Sequence, residues 1–311
     1  MIKERKDIAP ASFGPEQFKG HLAILGANII FGVNTAVTKM ILHPGALDPL
    51  TISFLRFSGA MLSFWILSLF LPKERVAGKD YVYIALASLF GVFGNQISFL
   101  FGLQQTSPTN AVMIFSLGPV IVLILATIVQ KEPLTFRKGF GVFLGALGAI
   151  WLALKGGQID FSSGGDSVGI LILFMGSLFY AFYLTLFKRI IMTYSPVTLM
   201  KWMFLFATVA SMPISGVRLL ESDLFGQTPS YYAMLAYLVF GATFVAYLLI
   251  PIAQRKIRPT VVSMYGYIQP ILTIGIAILL GLDSWQWGKV PSMLMIFLGV
   301  YLVTTSKKRI A

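Results

Sequence analysis

Apolar residues along this chain gather into ten runs, 20–42, 49–71, 80–103, 108–130, 136–155, 167–190, 197–219, 231–253, 259–281 and 286–305. Each is about 20 residues long, enough for a helix to cross about 30 Å of hydrocarbon. The stretches between them, among them HPGALDP, LPKERVAGKD, QKEPLTF and QRKIRP, are turn-forming and polar. The pattern predicts an all-α polytopic membrane protein of ten transmembrane helices. A polar tail, 1–19, precedes the first run, a glycine-rich linker, 156–166, divides the chain, and a short basic tail, 307–311, ends it.

Composition points the same way. Hydrophobic residues make up 57% of the 311 and charged residues 12%, with a mean hydropathy of +0.81. A soluble domain carries about 25% charged residues, so the natural solvent of this chain is lipid. The net charge of +12 would suggest nucleic acid in a soluble protein. Here the bases form short clusters between apolar runs, with no basic face, and nucleic acid is not an expected partner. Eighteen of the 24 Lys and Arg residues fall on one side of the ten-span arrangement, three on the other, and Lys39, Arg56 and Lys201 lie within runs. Positive loops stay in the cytoplasm, so both termini are expected there.

The second half repeats the first. Pro108, Thr109, Pro119 and Glu132 return as Pro259, Thr260, Pro270 and Asp283, each 151 residues later. Towards the start of each half the offset drifts: Phe31, Asn34 and Lys39 pair with Tyr180, Tyr183 and Lys188 at 149, and Pro49 with Pro196 at 147. Residues 20–155 and 167–306 are therefore read as two five-helix repeats. Five is odd, so the second half enters the membrane in the opposite sense to the first. Inverted repeats of this kind are a hallmark of secondary transporters.

Several stretches then resemble a known family. These are FGVNTAVTK with Asn34 and Lys39, PLTISFLRFSGA with Arg56, NQISFLFGLQQTSPTNAVMI, the segment carrying Pro119 and Glu132, and KIRPTVVSMYGYIQPILTIGIAILLGLDSW. Their order over residues 20–306 is similar to the EamA family of the drug/metabolite transporter superfamily. The resemblance implies a transporter of small metabolites, commonly amino acids and often outward, in the inner or plasma membrane. It also implies a homodimer contact through spans 5 and 10. Asp283 departs from the Glu expected there.

The candidate residues follow from cost. Amides in lipid need partners and turn inward. With the aromatics near mid-span, they suggest a cavity lined by Phe31, Asn34, Asn95, Gln96, Phe115, Ser116, Tyr180, Tyr183, Tyr247, Tyr265, Tyr267 and Gln269. Pro119 and Pro270 each remove a helix hydrogen bond and are read as a pair of hinges. Arg56, about 10 Å into span 2 at 1.5 Å per residue, is either a substrate anchor or a structural cation bonded to carbonyls or to Asp48. Lys39 is expected to snorkel to the outer surface. Glu132 and Asp283 sit at span ends, where Glu132 has Lys131 or Lys138 for an ion pair. Gly139, Gly141, Gly145 and Gly148 suggest close helix packing. All twelve acidic residues fall in loops or at span ends, whereas ion-coupled pumps usually hold a carboxylate at depth. Facilitative or exchange-type transport is the reading; a proton-coupled drug transporter is the alternative. With no cysteine and no cluster of histidine and acid at depth, no catalytic residue, metal or cofactor is expected.

Overall fold

The computed structural model describes residues 14–42, 47–106, 111, 114–156, 164–222, 224, 226–279 and 287–306, and helices dominate them. They are α1 (Pro15–Ile41), α2 (Pro49–Leu69), α3 (Asp80–Gln105), α4 (Gly118–Val129), α5 (Phe136–Gly156), α6 (Gly164–Leu186), the short α7 (Lys188–Thr193), α8 (Pro196–Glu221), α9 (Pro229–Gln254), α10 (Pro259–Met264), α11 (Ile268–Leu279) and α12 (Val290–Thr304). Pro108, Thr109 and Asp283 lie outside the described residues.

Proline starts five of these helices, at 15, 49, 196, 229 and 259. At the first helical position its missing N–H has no partner to lose. Two of the starts are repeat-related. Asp48 caps α2 by accepting from Leu50 and Thr51 N–H, and Ser195 caps α8 by accepting from Thr198 N–H. Six helices are long and apolar enough to cross a membrane: α1, α2, α3, α6, α8 and α9. Their surfaces are apolar, with Leu69, Val82 and Leu220 more than 60% exposed, while Asn28, Thr35, Arg56 and Gln96 are buried. A helix apolar on its outer face and polar within is built for lipid.

The largest helix contacts join one half of the chain to the other. α5 packs along α12, and α2 along α8. The pairing of α3 with α6 is matched by α1 with α9, and that of α4 with α6 by α1 with α11. Under the 151-residue repeat these are equivalent contacts. On α5, a Cβ at Gly141 would lie 2.9 Å from Gly299 O, and one at Gly148 2.8 Å from Ser292 O. Gly145 faces the Tyr267 ring. Gly141, Gly145 and Gly148 thus serve close packing within the chain.

Two long helices widen in the same place. α3 makes a π-helical turn at Leu89–Gly94 and α9 at Tyr237–Val245. Moved by 151, the first falls on 240–245, inside the second. The two expected spans with a central proline are broken rather than smoothly bent. Ser116 and Leu117 form a turn before α4, and Tyr265–Tyr267 a 3₁₀ turn between α10 and α11. The proline ring clashes with the carbonyl four residues back, at Phe115 for Pro119 and Gly266 for Pro270. The chain breaks at those positions, and each proline sits in the first turn of a restarted helix, where it costs no bond.

Candidate functional site

A cavity of about 140 Å³ lies where the halves meet, with walls from α1, α2, α3, α4, α6, α9, α10, α11 and the breaks beside them. At about 10–15 Å³ per water, it holds on the order of ten waters, the space of a small metabolite. Of the residues expected there, Phe31, Asn34, Asn95, Gln96, Phe115, Tyr180, Tyr247 and Gln269 line it, as do Arg56 and Pro119.

Four expected residues lie elsewhere. Tyr183 is buried, and its ring fills the space above Gly91 in the π turn of α3. Tyr267 is fully buried and donates to Val142 O at 3.1 Å. Tyr265 lies 2.8 Å from His21 Nδ1, joining α1 to the second break. Ser116 is buried in the first break, outside the wall. A tyrosine in mid-span has an apolar body and one polar tip, so packing against a neighbouring helix serves it as well as facing a cavity. Pro270 is also buried and outside the wall.

The repeat brings its two halves into one hydrogen-bonded group. Asn95, just after the π turn of α3, donates to Gly176 O of α6 at 3.0 Å and accepts from the Tyr247 hydroxyl at 3.3 Å. Tyr247, the repeat partner of Gln96, follows the π turn of α9 and meets Phe31 edge-on at 6.1 Å. Gln269 donates to Asn28 Oδ1 at 2.8 Å, and Asn28 donates to Ile24 O. Asn28, Thr35, Ser177 and Ser263 line the wall too and were missed in the sequence. The helical spacing of Asn28, Phe31 and Thr35 on one face was the available clue. The described wall holds a single charged residue, Arg56. Its Nε donates to Thr243 Oγ1 at 2.8 Å, and Thr243 donates to Leu238 O, five residues back along the π turn.

Lys39 does more than reach for the surface. It donates to Leu103 O and Thr106 O at 2.9 and 3.0 Å, closing the C-terminus of α3, where a cation is favoured by the helix dipole. At the opposite end of the bundle, Glu132 accepts from buried Lys138 and, at 3.0 Å, from Thr260 Oγ1 of the other half. At other helix ends, Tyr194 donates to Asp80 at 2.7 Å and its carbonyl accepts from Arg255, while Ser195 N–H donates to Glu74. The described carboxylates thus sit at helix ends or in loops, and among the described residues no group of three His, Asp or Glu is placed to hold a metal.

Comparison with known proteins agrees with this architecture. A family model for the EamA-like transporter family matches residues 18–154 and again 167–305. A Bacillus subtilis (strain 168) protein described as the uncharacterized transporter YyaM is 25% identical over 272 residues, 84% of this chain and 86% of that one. An uncharacterized transporter of Archaeoglobus fulgidus is 24% identical over 263 residues, covering 84% and 90%. A solved crystal structure superposes with a TM-score of 0.72 over 93% of this chain and 96% of its own, at 15% identity, and so shares the fold. With two family matches that fill most of its length and a multi-pass helical fold, the chain belongs to the EamA-like transporter family and is a membrane transporter, not an enzyme.

Proposed function

We propose that this transporter exports a small metabolite, most simply an amino acid, across the inner or plasma membrane by alternating access. The observation that carries the reading is the central cavity, walled by both halves and lined by amides and aromatic rings at depth. Rocking of two repeats about such a site exposes it to each side in turn. In this reading the chain spans the membrane ten times as two inverted five-helix repeats, 20–155 and 167–306, with both termini in the cytoplasm. The symmetric contacts between halves and the one-sided distribution of basic loops support it. Pro119 and Pro270 mark two breaks in related positions, where a rocking half has backbone free to turn.

The amide and aromatic wall suits a small amphipathic or zwitterionic molecule better than a phosphate, which needs several bases at depth. The reading of facilitative or exchange-type transport is supported by the placing of the described carboxylates at helix ends, away from the cavity. Counterflow in proteoliposomes tests both parts. Internal unlabelled amino acid should draw labelled amino acid inward with saturation and without an ion gradient. Uphill movement driven by an imposed proton gradient would replace the exchange reading with proton coupling.

A further inference from the structure

The guanidinium of Arg56 is only 2% exposed, yet no described carboxylate pairs with it. Asp48, the acid nearest in sequence, is engaged at the start of its own helix, accepting from Leu50 and Thr51 N–H and from the Thr51 hydroxyl at 2.6 Å. Among the described residues, Arg56 makes one hydrogen bond, through Nε to Thr243, and its Nη1 is buried without a partner. Tyr237 and Tyr247 are the polar rings around it. Gln96 shares its predicament. It is 2% exposed and lines the same cavity, and among the described residues neither its Oε1 nor its Nε2 makes a well-aligned hydrogen bond, the Tyr247 hydroxyl being the polar group beside it. The Tyr247 hydroxyl lies close to both side chains. Buried donors left unmade are costly, and a buried charge more so.

The repeat-equivalent helix pair is built without a cation. At the repeat-equivalent places, 147 residues after Arg56 and 151 before Thr243, stand Met203 and Val92. Both are fully buried in one apolar cluster, where α8 packs on α3. The same helix pairing is therefore made once with a methionine and a valine, and once with an arginine and a threonine. The second version adds charge only on the side that faces the cavity.

We propose that Arg56 and Gln96 form the binding subsite for a carboxylate group of the transported molecule. A planar carboxylate takes two hydrogen bonds from donors such as Nη1 and an amide NH₂, and supplies the charge that the guanidinium lacks. One cation matches one negative charge, which disfavours phosphates and nucleotides. The rings of Phe31, Phe99, Phe115 and Tyr180 are left for an organic body. The inference rests on the transport reading above and narrows it to carboxylic acids, with or without an amino group.

The full chain in lipid nanodiscs and proteoliposomes tests it, using matched probes: 3-phenylpropionate, L-phenylalanine and phenylalaninamide, with isovalerate, L-leucine and leucinamide as a second set, and sodium chloride alone. At least one acid in a set should raise the unfolding temperature and show saturable counterflow, while its carboxamide does neither. The response of the acid without an amine against the amino acid then tells the two sources of carboxylate apart. Arg56→Lys and Gln96→Leu should weaken the acid's binding about tenfold or more, the loss of one charged hydrogen bond. Arg56→Met should abolish it, and unfold at the same or a higher temperature without ligand, since it removes a charge with no partner. Equal response to acid and amide, an equal response to chloride, or unaltered acid binding in Gln96→Leu would overturn the subsite. So would an Arg56→Met chain that unfolds earlier or fails to fold, because the arginine is then structural. In each of these cases saturable counterflow leaves transport itself standing, whereas no saturable flux of any probe overturns both.

Discussion

Glu132 is held by a backbone conformation its neighbour resists. Lys131 has φ of 51°, the one positive value outside glycine among the described residues, and Glu132 N–H returns to Ala126 O to close the end of α4. Glycine usually takes that place. The turn delivers the carboxylate to Lys138, which is fully buried, and to Thr260. Removing one partner of a buried pair leaves a charge without compensation, at a cost of about 3–5 kcal/mol. Lys138→Met should therefore lower the unfolding temperature sharply, and Lys138→Met with Glu132→Leu should recover most of the loss; a double variant no better than the single would show that the pair is not the cause. Glu74, in the loop after α2, behaves differently. Burial raises its affinity for a proton, but hydrogen bonds from Thr198 and Ser195 outweigh this and hold the carboxyl below its ordinary value of 4.5. A lowered folded value stabilises fully above the ordinary value, and the contribution fades as pH falls through the lowered one. Wild type and Glu74→Gln should differ most near pH 7 and converge in acid when their unfolding temperatures are compared from pH 7 to pH 3. At this scale the sequence offered Lys138 as a partner for Glu132. It could not show Thr260, which lies 128 residues away.

Among the elements, the close pairing of α5 with α12 and the two π turns make separate demands. A Cβ at Gly299 would fall 2.6 Å from Gly141 O, a backbone atom that cannot swing aside, whereas a Cβ at Gly139 meets nothing within 4 Å. Gly299→Ala should cost on the order of 1–3 kcal/mol through overpacking, seen as a lower unfolding temperature, and Gly139→Ala should change little. If both behave alike, the helix pair is looser than the structure has it. The π turn of α9 depends on Thr243, whose hydroxyl bonds Leu238 O and accepts from Arg56. Wide turns of this kind are rare and gather at functional sites. Thr243→Val should reduce counterflow by about tenfold, the worth of a hydrogen bond to a charged group, and lower the unfolding temperature, because it leaves Arg56 Nε buried without its acceptor. The existence of these helices was legible, because runs of apolar residues and starting prolines are local signals. The π turns were not, since one extra residue in a turn leaves the apolar pattern of a lipid-facing helix unaltered. The breaks beside Pro119 and Pro270 were half legible: proline marked the place, but a kink and a restart look the same in sequence.

On the scale of the whole molecule, the halves are interleaved, and the rocking proposed above would break contacts at one end of the cavity. Glu132 and Thr260 join the halves at the end that carries Arg255 and Arg258. The chain has no cysteine, so a cysteine pair at these two positions can be crosslinked cleanly. In a Lys138→Met background, which leaves no unpaired buried charge when Glu132 is replaced, oxidation of Glu132→Cys with Thr260→Cys should stop counterflow, reduction should restore it, and each single cysteine variant should be indifferent to oxidant. Full flux through the crosslinked protein would show that this end need not open. By itself, the sequence determined the solvent, the helical class and the duplicated half, because each is written in composition or in local order and survives any arrangement of the helices. It also turned Asn34, Asn95, Gln96 and Gln269 inward, where they line the cavity wall, since amides avoid lipid. Tertiary structure decided which of them share a cavity. It sent Tyr183 and Tyr267 to helix contacts, brought Gln96 and Tyr247 together from opposite halves, and left Arg56 without a described carboxylate partner. The reason is physical: inward-facing polar groups can be satisfied by a neighbouring helix or by a ligand, and only the packing of distant segments shows which need has been met.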